Sequence, residues 1–301
     1  LQMVPDRKVV LSDSGNFPTD LYMAEGLLAK LGPECELRVV APDEVAEAIT
    51  DEIAAVMLTH VDYRTGRVHD MKAITDKAHD AGAIMIWDLA HSAGALPVDL
   101  SACNADIAVG CTYKYLNGGP GAPAFIHVRP DLIDDVRPAL SGWLGHAAPF
   151  AFDLDYRPGE GISRMRVGTP PVIQMAVLDA ALDAFDGVDM NALRARSIEL
   201  SERFIAEVEA GRKEVTLASP RDPHQRGSQV SFRFHEGYAA MQALIARGII
   251  GDFRAPDIMR FGFCPLYNTA EEASFAAAAL IEIIATGEWD RPEFRARKAV
   301  T

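Results

Sequence analysis

Asp106-Ile107-Ala108-Val109-Gly110-Cys111-Thr112-Tyr113-Lys114-Tyr115-Leu116-Asn117-Gly118-Gly119-Pro120-Gly121 runs from an apolar strand, through a single lysine, into a glycine-rich turn. Upstream, Ile84-Met85-Ile86-Trp87-Asp88-Leu89-Ala90-His91 closes a second apolar run on an aspartate. Short continuous apolar runs of this kind are strands covered on both faces, the habit of parallel sheets. Further runs at Lys8–Ser12, Leu37–Ala41, Ile53–Leu58 and Ala124–Val128 alternate with helical patterns at Pro18–Leu31, Asp43–Thr50 and Asp70–Ala81. Pro18 opens the first helix, Gly32-Pro33 stops it, and Gly82 ends the third. The alternation predicts an α/β fold, a mostly parallel sheet sandwiched by helices. Ligands of such sheets sit beyond the carboxyl ends of the strands, and Asp88 and Lys114 both fall there.

The character changes after Gly187. An apolar helical stretch at Ala176–Phe185 precedes that point, and a long charged amphipathic helix, Met190–Glu209, follows it. Strands are predicted near Val215–Ala218, Ser228–Phe234, Ile249–Phe253 and Ile258–Phe263, with a helix at Tyr238–Arg247 and a final Ala-rich helix. Ser228–Phe234 alternates as a half-exposed strand does. The expected organisation is a large domain over residues 1–187 and a smaller C-terminal α+β domain over 188–301, ending in a polar, frayed tail from Pro292.

Bulk properties exclude several classes. The chain has 301 residues, 49% of them hydrophobic and 24% charged, which is ordinary for a soluble globular protein. A net charge of −14 without a basic run argues against nucleic-acid or anionic-membrane binding. No stretch approaches the ~20 apolar residues of a membrane span. Cys35, Cys103, Cys111 and Cys264 lack metal-ligand spacing, so no metal is expected; they read as reduced thiols in a cytoplasmic protein, Cys111 as buried and inert.

A carboxylate ending one strand and an amine just past the next suit pyridoxal 5′-phosphate. The lysine forms a Schiff base with the aldehyde, and the aspartate keeps the pyridine nitrogen protonated. A lysine leaving a buried strand also has the lowered pKa that a Schiff-base former needs. The plain alternatives are a surface lysine for Lys114, a helix cap for Asp88 and a satisfied structural histidine for His91. In Asn16-Phe17-Pro18-Thr19-Asp20, Phe17 either stacks on a flat ring or serves as a hydrophobic staple, with Asp20 a favourable first-turn carboxylate. Arg260, inside Ile258-Met259-Arg260-Phe261-Gly262-Phe263, must pair or reach into a cleft, and its fork suits an amino-acid α-carboxylate. Gly118, Gly119 and Gly121 spell no nucleotide loop and let backbone pass close to a bulky cofactor.

Four stretches together resemble kynureninase, a family of the fold-type-I pyridoxal-phosphate enzymes in the class V aminotransferase group. They are Phe17–Asp20, Leu58-Thr59-His60-Val61-Asp62-Tyr63-Arg64-Thr65-Gly66, Trp87-Asp88-Leu89-Ala90-His91-Ser92-Ala93-Gly94 and Tyr113–Gly121. The resemblance runs from Val9 to the final helix. It implies that Lys114 carries the cofactor and shuttles protons, Asp88 pairs with the pyridinium with Asp20 in support, and Phe17 stacks on the ring. Tyr113 would contact the phosphate and take part in proton transfer, His91 would lie by the ring, and Arg260 would hold the substrate carboxylate. Trp143 and Thr169 match positions that reach the cofactor phosphate of a neighbouring subunit, so a homodimer with its site at the interface is implied. The implied reaction is hydrolysis of L-kynurenine, with 3-hydroxykynurenine as a second candidate, to anthranilate and L-alanine in tryptophan catabolism. The resemblance also implies more chain before Leu1: a threonine-bearing phosphate-binding segment and an N-terminal part of the small domain. Related cysteine desulfurases and selenocysteine lyases usually place histidine before the lysine, where this chain has Tyr113; a catalytically dead dimeric relative is the remaining alternative.

Overall fold

The computed structural model describes residues 1–297. It forms two compact units, one of Leu1–His60, Asp70–Ala93 and Val98–Asp183, the other of Val61–His69, Gly94–Pro97 and the chain from Ala184 onward. The chain therefore passes between units more often than a single boundary at 187 implies.

The first unit is built on six strands: β1 (Val9–Asp13), β2 (Glu36–Val40), β3 (Ile53–Thr59), β4 (Ile84–Asp88), β5 (Ile107–Cys111) and β6 (Ala124–Val128). Their order is β2-β1-β3-β4-β5-β6. Every neighbouring pair is parallel except β5 and β6. Helices α1 (Pro18–Leu31), α2 (Val45–Ala48), α3 (Met71–Asp80) and α4 (Val172–Leu182) complete it. Alternation along β1 assigns its faces. Leu11 packs with Val45 of α2, Met71 and Ile74 of α3, and Trp87, whereas Val10 packs with Leu28 of α1. Helices therefore cover both faces, as the unbroken apolar strands require. Trp87 is fully buried, and its indole N–H is satisfied by Thr75 Oγ1 at 3.0 Å. Because β1 departs in opposite directions toward β2 and β3, the strand order reverses there, and carboxyl ends of adjacent strands open a crevice. Asp13, Thr59 and Asp88 are the last residues of β1, β3 and β4.

The second unit comprises α5 (Met190–Gly211), β7 (Thr216–Leu217), β8 (Gln229–Arg233), α6 (Gly237–Ala246), β9 (Asp252–Arg254), β10 (Ile258–Gly262), α7 (Ala270–Thr286) and α8 (Pro292–Arg295). The strands form an antiparallel sheet in the order β7-β8-β10-β9. Phe204 of α5 sits at the centre of its core, 4.7 Å from the Phe261 ring and 5.5 Å from Phe263. Thr269 and Glu272 close a capping box at the start of α7.

Two expectations need correction here. β8 is not half-exposed: Gln229, Val230, Ser231 and Phe232 are all buried. Its polar side chains are satisfied by the loop at 61–67, with Gln229 Nε2 donating to the Asp62 carbonyl at 2.8 Å and Ser231 Oγ to that of Arg64 at 2.5 Å. Alternation reports polarity, and polarity does not mean exposure once a partner is present. The tail from Pro292 is not wholly frayed, since Pro292 opens α8; residues 298–301 lie outside the described residues.

Candidate active site

The site grows from the carboxyl edge of the first sheet. Asp88 ends β4 directly beside Thr59, its parallel register partner on β3. One carboxylate oxygen accepts the Ala90 N–H at 2.8 Å and the other accepts the Thr59 hydroxyl at 3.3 Å. The turn after β4 then presents His91, which is buried. Beyond the next strand, Lys114 returns to the same edge, with Nζ 3.1 Å from His91 Nε2. A single hydrogen bond thus links the amine to the imidazole. The Lys114 ammonium also lies 5.4 Å from the centroid of the Tyr113 ring.

Burial raises the Asp88 pKa, opposed by the Ala90 N–H, the charge of Lys114 and the Thr59 hydroxyl. Asp20, in the first turn of α1, is pushed up to about 6, chiefly by burial and then by the negative charge of Asp88, with Lys114 pulling it down. Two carboxylates held toward protonation by burial, one also by its neighbour, make a locus whose energy falls when a cation arrives. A protonated pyridine nitrogen is such a cation, so the donor set fits a pyridinium ring.

The turn that leads into α1 is fixed from within. Asn16 is buried, donates to Ser12 Oγ at 3.1 Å, and accepts the Phe17 N–H at 2.7 Å. Phe17 keeps 41% of its surface exposed and Tyr113 47%, so each leaves ring surface available at this edge. After Lys114 the chain reverses through Asn117 at φ 62° and Gly119 at φ 71°. Gly118 then packs against the departing strand, donating to the Thr112 carbonyl at 2.9 Å. A Cβ at Gly118 would sit 2.8 Å from Ala122 Cβ and 2.9 Å from the Thr112 carbonyl oxygen. Gly118→Ala is therefore expected to cost roughly 1–3 kcal/mol, the usual penalty of overpacking. A lowered urea midpoint at unchanged slope is the check.

Trp143 and Thr169 form a second group in the first unit. Trp143 opens a one-turn 3₁₀ segment, edge-on to Phe150 at 5.7 Å, and Thr169 lies on an exposed bend. Their loops touch: Gly142 lies so close to Val167 that a Cβ would fall 1.8 Å from its carbonyl oxygen. Arg260 belongs to the second unit, on β10, and it does pair, with Asp252 of β9. Cys111 is only partly buried, unlike the sequence expectation, yet burial still pushes its thiol up and it points to the Ala90 carbonyl at 3.7 Å. Thr59, Asn16 and Asp252 were not singled out from sequence. For the first, the sequence signal is a threonine that closes the apolar run Ile53–Leu58.

An Asp-ended strand, a lysine past the next strand and a mostly parallel sheet define the class. The fold is that of the fold-type-I pyridoxal-phosphate enzymes. The apo cysteine desulfurase from Thermococcus onnurineus NA1 matches with a TM-score of 0.77 at 19% identity, over 93% of this chain and 74% of that one. C-DES, a cystine C–S lyase solved with its product cysteine persulfide, matches at 0.77 and 21% identity, over 92% and 75%. A C-DES mutant with glycine covalently linked to its PLP cofactor gives 0.78 and 20%, over 92% and 74%.

Sequence relatives narrow the class. Residues 193–280 match the kynureninase C-terminal domain, and residues 34–109 match the DegT/DnrJ/EryC1/StrS aminotransferase family. The chain is 51% identical over 300 residues to kynureninase of Pseudomonas fluorescens and 50% identical to that of Burkholderia mallei (strain SAVP1), covering 99% of this chain and 72% of each relative. The chain belongs to the kynureninase family.

Proposed function

We propose that this chain uses pyridoxal 5′-phosphate to hydrolyse L-kynurenine, and 3-hydroxykynurenine as a second substrate, to anthranilate (or its hydroxy derivative) and L-alanine in tryptophan catabolism. The observation that carries the reading is the hydrogen-bonded pair Lys114–His91 at the sheet edge where Asp88 ends β4, in a chain of the kynureninase family. When bound, the cofactor supplies an aldehyde for amine capture and a ring that accepts electrons.

The chain's own residues divide the remaining work. Lys114 holds the aldehyde and afterwards moves the proton at the substrate Cα. His91, 3.1 Å away, holds that amine in place and exchanges a proton with it. Asp88 would hold the ring nitrogen and keep it protonated, while Thr59 and the Ala90 N–H fix the carboxylate plane. Asp20 adds negative potential behind Asp88. Phe17 would stack on the ring, and Tyr113 would contact the phosphate and take part in proton transfer. Arg260 anchors the α-carboxylate of the substrate.

Trp143 and Thr169 act across a homodimer interface, completing the phosphate site of the partner. Helix α4 supports such a surface, because Val172, Ile173, Met175 and Val177 are all exposed on it. Among the described residues no helix is long and apolar enough to cross a membrane, and a cytoplasmic location completes the reading.

The test is an absorbance scan of the purified protein after adding pyridoxal phosphate, then L-kynurenine. The expected outcome is a visible band that shifts with substrate while anthranilate fluorescence grows. A band without anthranilate would refute the substrate, and no band at all would refute the site.

A further inference from the structure

The geometry points to Asp252 as the positioning residue that aims Arg260 at the substrate carboxylate. This inference rests on the reading of Arg260 as the carboxylate anchor, and it names the group that makes Arg260 effective.

Antiparallel pairing places Asp252 directly opposite Arg260 across β9 and β10. The contact is a side-on fork: Nε donates to Asp252 Oδ1 at 2.8 Å and Nη2 donates to Oδ2. Nη1 donates to the main-chain carbonyl of Tyr63 at 2.5 Å. A guanidinium has five N–H bonds in a rigid plane. Three are engaged here, one from each nitrogen, so Nη1 and Nη2 each keep one donor for a second acceptor. Two carboxylates can thus share one arginine, the protein's holding the plane and the substrate's using the remaining donors.

The second pin is itself built. Asp62 Oδ1 accepts the N–H groups of Arg64 at 2.6 Å and Thr65 at 2.9 Å, which forces the chain at 62–65 into a turn. Ser219 Oγ, Gln229 Nε2 and Ser231 Oγ then donate to three carbonyls of that loop. The Tyr63 carbonyl is consequently a fixed point. The Val61–Gly66 stretch acquires a reason in this fold: it delivers a backbone acceptor to Arg260.

Charge does not cancel the arrangement. Arg254 also reaches Asp252, at 3.4 Å, so one carboxylate serves two guanidinium groups and the trio stays net positive. An anionic substrate still meets a positive site. The Arg260 side chain is only 12% exposed, and without Asp252 its plane would be held by the single bond to the Tyr63 carbonyl, about which it can swing.

The experiment is steady-state kinetics on L-kynurenine with the cofactor-loaded enzyme, for Asp252→Ala, Asp252→Asn, Arg260→Ala and the Asp252→Ala/Arg260→Ala double variant. Arg260→Ala is expected to raise KM about 10- to 100-fold, the worth of one charge-assisted anchor. Asp252→Ala should raise KM about tenfold with a smaller change in kcat, and the double variant should be no worse than Arg260→Ala alone. Asp252→Asn, nearly isosteric and keeping one acceptor, should fall between Asp252→Ala and the unaltered enzyme, with its cofactor absorbance intact. An inhibitor lacking the α-carboxylate should bind the Asp252 variants as it binds the parent. A costly Arg260→Ala beside silent Asp252 variants, or additive losses in the double variant, would sink the positioning role alone. An unchanged KM in Arg260→Ala would instead sink the anchor reading beneath it. Should Asp252→Ala fail to fold, the comparison of Asp252→Asn with Arg260→Ala decides the matter by the same criteria.

Discussion

Lys114→Ala is expected to lower kcat for L-kynurenine by at least about 10³-fold, the scale that a positioned general acid–base group contributes. Lys114 is the amine that the sheet edge holds against His91, and that contact is 3.1 Å. On the proposed reading, removing it deletes the amine that captures the aldehyde, which no neighbouring side chain supplies, together with the base for the Cα proton. His91 is rigidly placed but lacks an amine, and a guanidinium in Lys114→Arg would remain protonated and equally inert. Little structural damage should accompany the loss. Lys114 is partly exposed, on a turn whose backbone bonds, Asn117 N–H to the Lys114 carbonyl and Gly118 N–H to the Thr112 carbonyl, do not use its side chain. Thermal melts of the apo-protein should therefore stay close, with a modest loss at neutral pH because the Lys114 charge offsets the buried carboxyl groups of Asp88 and Asp20. Turnover surviving unchanged would mean that the proposed chemistry is wrong, whatever the fold.

The first unit was legible because its signals are local. Most of its strands are short apolar runs between Gly, Pro or Asp punctuation, and the predicted bounds of the helix Pro18–Leu31 and the antiparallel edge strand Ala124–Val128 are those observed. Lys114 and Asp88 stood out because polar residues at the ends of such runs have few structural reasons to be there. The illegible parts depend on who sits opposite whom. Thr59 gains its contact with Asp88 from register between strands 29 residues apart in sequence. Asp252 faces Arg260 only because β9 and β10 pair antiparallel. β8 looked half-exposed because Gln229, Ser231 and Arg233 alternate with apolar residues, and nothing in that run announces that the loop at 61–67 will cover the first two. The same loop, together with Gly94–Pro97, joins the second unit from inside the sequence of the first. A composition shift near 187 could not reveal such excursions.

Asp88→Asn is the second variant with a large expected effect, and its sign should reverse between apo and holo protein. Burial raises the Asp88 pKa in the folded state. Between its unfolded and folded pKa values the native state binds more proton, so stability falls as pH rises through that window. Above that window the ionised carboxylate is therefore a cost to the apo-protein. Asparagine carries no such charge, can still accept the Ala90 N–H through its oxygen, and turns an amide toward Thr59 Oγ1, whose lone pairs can accept. The apo-protein with Asp88→Asn should consequently melt at or above the temperature of its parent at pH 7, and the difference should shrink on acidification. With pyridoxal phosphate bound the order inverts. A protonated ring nitrogen beside a neutral amide has lost its buried counter-ion, and removing one partner of such a pair costs about 3–5 kcal/mol. That corresponds to roughly a 10²- to 10⁴-fold fall in cofactor-dependent activity. Asp20, itself held up to about 6 and therefore largely ionised at pH 7, is not the carboxylate that the Ala90 N–H and the Thr59 hydroxyl orient, so it is a poor substitute. The two melts, with and without cofactor, therefore test one carboxylate in both of its roles. A variant destabilised equally in both states would make Asp88 a structural cap at the end of β4, whereas destabilisation of the holo form alone is the behaviour of a residue placed there for the ring.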